Sequence, residues 1–80
     1  MMTTGPTPAE AAKRVLMILA EIFHREPGQS VRLDAVQTEF LRDAWAPVDF
    51  QAGLAYAADH LWIELRDREV LLTNQGFAMV

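Results

Sequence analysis

The chain contains no cysteine and one serine, Ser30. Disulfides and thiolate metal sites are therefore excluded, and a nucleophile–base triad lacks most of its parts. There are two histidines, His24 and His60. Glu21 and His24 stand three residues apart on a helix and can touch one ion, but a catalytic zinc takes three protein ligands and no third is evident. His24 thus reads as a solvent-facing residue of a last helical turn, where it complements the helix dipole. His60, beside Asp59, is read the same way. The glycines at 5, 28, 53 and 76 are isolated, so no phosphate-cradling loop can be built from them. The carboxylates are scattered over short helices and read as solvated charge. The expectation is a protein with no catalytic residues, no metal and no cofactor.

Long hydrophobic runs are missing as well. The longest wholly apolar run, from Val15 to Ala20, has six residues, against the roughly 20 that span a bilayer. The N-terminus has no basic leader, since the first lysine is Lys13, so no signal peptide is read there. A soluble cytoplasmic protein is expected. A basic excess is absent too: the net charge is −4 and the pI about 4.9, which argues against a simple polyanion binder.

What is present is apolar content, 51% of 80 residues. A chain this short buries only about 60% of the surface its unfolded form exposes. Without staples, close packing or self-association must supply its stability. Residues 15–23 dominate, because eight of the nine are apolar, and a helix that greasy must be central to the domain. Thr7-Pro8-Ala9-Glu10 reads as its start, with Thr7 and Glu10 as a capping box and Pro8 at the first position. Helix one is expected to run to about Glu26, before Pro27-Gly28. One inner stripe takes Ala12, Val15, Leu19, Ile22 and Phe23. Leu16, Met17, Ile18 and Ala20 fall outside it and are the candidates for a dimer interface. Residues 1–6 lack periodicity and read as a disordered tail, with residues 7–80 as one domain.

Ser30-Val31-Arg32 reads as a brief edge strand. Leu33, Val36, Phe40 and Ala44 give helix two a single buried face, with Asp34 and Gln37 as its capping pair and an end near Asp43. Pro47 opens helix three. Its inner stripe is Phe50, Leu54, Ala57 and Leu61, with Gln51, Ala52, Ala55, Tyr56 and Asp59 outward. Trp45 and Trp62 flank that helix and are read as core packing. The period then changes. Ile63-Glu64-Leu65-Arg66 alternates as a strand does, and Val70-Leu71-Leu72-Thr73 is a second strand-like run. If Asp67-Arg68 is the turn, Leu65 faces Val70 and Ile63 faces Leu72, while Arg66 pairs with Glu69 on the other face. Thr73 can cap a final turn through Gln75, with Gly76 weakening it.

Three helices followed by a hairpin, α+β and mainly α, resemble a winged helix-turn-helix. Leu61-Trp62-Ile63-Glu64-Leu65, a charged turn and Leu72-Thr73-Asn74-Gln75-Gly76 are similar to the wing of bacterial transcriptional regulators of the MarR and PadR kind. The resemblance spans roughly residues 8–76. It implies double-stranded DNA as partner, a homodimer, and a regulatory role. Helix three would lie in the major groove, with Gln51 and Tyr56 facing the bases and Arg66 and Arg68 as the cationic tip of the wing. Arg66 and Arg68 have a second reading as edge-strand charges that discourage aggregation. Between Asp43 and Glu64 there are four acids and no Lys or Arg, whereas phosphate neutralisation supplies much of the affinity for DNA. The alternative expectation is therefore a protein–protein interaction module of the same fold that binds no nucleic acid.

Overall fold

The structure is a computed structural model that describes residues 7–43 and 45–80. The expected tail over 1–6 and Ala44 of the helix-two stripe lie outside those residues. Helix α1, Pro8–Met17, begins as its sequence dictates. Thr7 Oγ1 accepts from the Glu10 amide at 3.1 Å, and Glu10 Oε1 accepts from the Thr7 amide at 2.9 Å. The helix then widens into a π turn over Ile18–Ile22, closed by the Phe23 amide donating to the Ile18 carbonyl. It stops short of the expected Glu26, with His24 at φ 54° just beyond. The wider turn re-phases the apolar face. Ile22, expected inside, is 45% exposed, whereas Leu16 and Ile18 are fully buried.

Strand β1, Ser30–Arg32, leads directly into α2, Leu33–Phe40. Arg32 occupies the N-cap position, so Asp34 and Gln37 do not form the expected capping pair. Asp34 lies in the first turn instead, where its charge suits the positive end of the helix. A 3-10 turn, Leu41–Asp43, extends α2. Its end is fastened by Arg14 of α1, whose guanidinium donates to the Phe40 carbonyl at 3.0 and 3.1 Å and to the Glu39 carbonyl at 3.3 Å. The same group lies over the rings of Phe40 and Trp45, 5.3 and 5.2 Å from their centroids. Carbonyls left over at a helix C-terminus thus find a cationic donor.

Helix α3, Pro47–Asp59, starts with Asp49 Oδ2 accepting from the Ala46 amide at 3.1 Å. Phe50, Leu54 and Ala57 point inward as expected, and Gly53 is buried beside them. A Cβ on Gly53 would lie 2.8 Å from the Ala11 carbonyl carbon, so glycine is what lets α3 cross α1 so closely. Leu61, expected in the inner stripe, is 61% exposed. It sits just past the helix end at φ 61°. Its amide donates to Ala58 and the Trp62 amide donates to Ala57, the paired bonds that end many helices with a left-handed residue.

Strands β2, Ile63–Arg66, and β3, Glu69–Leu72, form the expected hairpin in the expected register, Ile63 with Leu72 and Leu65 with Val70. Strand β1 adds to β3, giving an antiparallel sheet of order β1-β3-β2. Leu65, near the turn, is 49% exposed. Arg66 and Glu69 are cross-strand neighbours as expected, but their side chains form no ion pair. Arg66 donates to Glu64 Oε1 at 2.7 and 3.0 Å, while Glu69 accepts from the Ser30 hydroxyl. Thr73 caps a short helix α4, Asn74–Ala78. Gly76 is buried inside it, and an added Cβ there would collide with the Trp62 carbonyl. Side chains of α1, α2, α3 and the sheet share one core around Phe40, Phe50, Leu16, Leu19 and Ile63. The chain is α+β and mainly helical. Among the described residues no helix is long and apolar enough to cross a membrane.

Candidate functional site

Two surfaces can meet a partner: the outer side of α3 and the edge of the sheet. On α3 the closed first turn and the Gly53 contact fix which side faces out. Val48, Gln51, Ala55 and Asp59 are exposed, and their spacing of three, four and four places them along one side. Val48 is 70% exposed. Of the residues expected to face bases, Gln51 does point to solvent. Tyr56 does not stand free: it is half-buried, and its ring stacks on His60 with centroids 4.1 Å apart and planes 15° from parallel. Trp62 closes the group, 5.2 Å from His60 and 5.7 Å from Tyr56. His60 Nδ1 donates to the Tyr56 carbonyl at 2.9 Å. This cluster fixes the far end of α3, which makes His60 more than a dipole partner.

At the sheet edge the expected cationic tip divides. Arg66 is neutralised within its own strand by Glu64. Arg68 instead shares a cleft of about 450 Å³ with Arg32, Asp67 and Glu69. It also lines a second cleft of about 230 Å³ with Arg32, Leu33, Asp34 and Gln37. Arg32 and Arg68 are therefore brought together, but with two carboxylates in the first cleft and one in the second. Arg32 is already 3.4 Å from Asp34. The cleft offers two guanidinium forks and little net charge.

The four dimer-interface candidates divide as well. Leu16 and Ile18 are core residues of the single chain and present nothing to a partner. Met17 and Ala20 remain half-exposed. Met17 lines a cleft of about 410 Å³ with Lys13 and Glu21 of the same helix. Among the described residues no three His, Asp or Glu side chains gather as a metal site would require.

Leu61, like Ile22, belongs to an expected inner stripe yet lies exposed. The signal for Leu61 was the stretch Asp59-His60-Leu61-Trp62, where a helix ends with no Gly, Asn or Pro to take the left-handed position. A bulky residue there carries a backbone cost of roughly 1–2 kcal/mol and holds its side chain out in water. No family model, curated protein or solved structure matches the chain.

Proposed function

We propose that the chain is a winged-helix domain whose α3 side binds another protein, with apolar and carboxylate groups in the roles that cations fill in a DNA reader. The element order and the β1-β3-β2 sheet support the winged-helix reading. The observation that carries the protein-binding reading is the chemistry of the surface that would face DNA. Val48, Ala55 and Leu61 stand in solvent with Asp59, and no cation occurs between Asp43 and Glu64. Such a helix brings negative charge toward phosphates, and Gln51 is the one amide side chain on its exposed side that could read a base edge. A partner helix with small apolar and basic residues is its chemical complement. Leu61 strengthens the reading, since backbone strain kept beside an exposed apolar side chain is a mark of interaction sites.

Capture from cell extract on immobilised protein tests this, run in parallel with Ala55→Arg and Leu61→Gly. A partner retained by the unaltered chain and lost with both variants is the expected result. Equal retention by all three contradicts the reading.

The DNA reading keeps two observations in its favour: Gln51 points to solvent from α3, and Arg32 and Arg68 line one cleft at the sheet edge, where a wing would meet a phosphate. Fluorescence anisotropy with mixed-sequence duplex at low salt decides it. Non-specific binding by DNA-binding proteins falls at about 1–100 µM. Saturable binding in that range, abolished by Arg32→Ala with Arg68→Ala, would establish the DNA reading.

A further inference from the structure

We propose that two copies of this chain associate by antiparallel pairing of their α1 helices about a two-fold axis at Met17. The cleft of about 410 Å³ is lined by Lys13, Met17 and Glu21, with Trp45, Met79 and Val80 completing it. Lys13 and Glu21 are exposed and Met17 is half-exposed. Neither charged side chain makes an ion pair among the described residues. Arg14, which also borders the cleft, is held by the end of α2. Met79 and Val80 are 44% and 51% exposed, so the floor of the cleft is apolar and uncovered.

The order of these residues is what names the occupant. Lys13 precedes Met17 by four residues and Glu21 follows it by four, which places the charges on the same side of the helix as Met17. At about 1.5 Å per residue each lies about 6 Å from Met17 along the axis, slightly less toward Glu21 because of the π turn. A two-fold axis through Met17 reverses one helix against the other. Lys13 of one copy then faces Glu21 of its partner, and Glu21 faces the partner's Lys13. A face that is its own complement under that rotation is what an isologous contact requires. Half-buried Ala20 lets the helices approach without a bulky side chain between them. Met17 and its symmetry mate meet at the centre, with the apolar floor of each cleft available to the other copy. The contact is one helix face wide, at the small end of interface sizes, so the association is expected to be weak. It leaves the outer side of α3 free and does not depend on what α3 binds.

Sedimentation velocity from about 5 to 500 µM at low salt reads the association. Lys13→Glu places two like-charge pairs across the axis and is expected to weaken it at least about tenfold. Glu21→Lys is expected to do the same. Lys13→Glu combined with Glu21→Lys re-creates both pairs with reversed sign and is expected to restore association to within about threefold of the unaltered chain. Net charge cannot imitate this pattern. It goes from −4 to −6 in the first variant, to −2 in the second, and back to −4 in the double variant. Both altered positions face solvent, and circular dichroism of each variant checks the fold. A chain that stays monomeric throughout overturns the proposal and leaves the cleft to a different occupant. Association that ignores either single reversal, or that the double reversal does not restore, overturns it equally.

Discussion

Arg14→Met separates the guanidinium of Arg14 from its packing, because methionine preserves most of the side-chain length against Phe40 and Trp45. Arg14 is 14% exposed at the side chain, and its three bonds to the Phe40 and Glu39 carbonyls are the substance of what is lost. A hydrogen bond to a charged group contributes about 1.5–3 kcal/mol net, and a buried carbonyl left without a partner costs about 1–3 kcal/mol. These overlap and are not summed. The stacking over two rings adds about 0.5–1 kcal/mol. The Asp43 contact, 3.4 Å to a carboxylate 76% exposed, is discounted to nearly nothing. Relief of the buried charge works the other way. The expected loss is about 2–3 kcal/mol, against a total of about 4–12 kcal/mol for a domain of this length. For a domain this small that lowers Tm by about 10–20 °C. Urea unfolding followed by tryptophan fluorescence measures it, since Trp45 lies beside the altered group. Arg14→Lys keeps the charge without the fork and should recover less than half of the loss. A loss below about 0.5 kcal/mol for Arg14→Met would refute the idea that this group fastens α1 to α2.

Other outcomes follow from the same structure. Gly53→Ala should destabilise by about 1–2 kcal/mol in thermal melts, because crowding against Ala11 outweighs the better helix propensity of alanine. His24→Gly should raise stability by about 0.5–1 kcal/mol, since exposed His24 holds a left-handed conformation that glycine adopts freely. Thr73→Val should cost about 1–2 kcal/mol by removing the α4 cap and the hydroxyl bond to the Trp62 carbonyl. Leu61→Gly should change Tm by only a few degrees, because the strain it relieves and the half-covered side chain it deletes nearly cancel; partner capture is where its effect should appear.

The hairpin was the most legible part of the chain. Ile63, Leu65, Val70 and Leu72 alternate around Asp67-Arg68, and a one-residue slip would turn every one of them to the wrong face. Both proline-led helix starts could be read for a similar reason, since Pro8 and Pro47 restrict the backbone locally. The end of α1 was not legible. Apolar residues at nearly every position from 15 to 23 are compatible with any helical phase, so nothing in them announces a π turn at Ile18. The same ambiguity placed Leu16 and Ile18 on a partner surface when both belong to the core. The α2 cap failed differently. Asp34 and Gln37 have the right spacing, but the Leu33 amide donates to the Arg68 carbonyl at 2.7 Å, a tertiary bond at a helix start two residues earlier than local chemistry suggests. At the candidate surfaces, the sequence located Gln51, Arg66 and Arg68 but not their neighbours. Whether Arg66 is free depends on Glu64 reaching it along the strand, and whether Tyr56 is free depends on His60 and Trp62 folding against it.

The proposed role has the outer side of α3 meeting protein and not phosphate. Amide chemical shifts of the nitrogen-15-labelled chain, titrated with duplex DNA at low salt, test it residue by residue. The amides of Val48, Gln51, Ala55 and Asp59 are expected to stay in place, with any weak, salt-sensitive shifts confined to Arg32 and Arg68. Saturable shifts centred on Gln51 and Ala55, surviving at physiological salt, would contradict it.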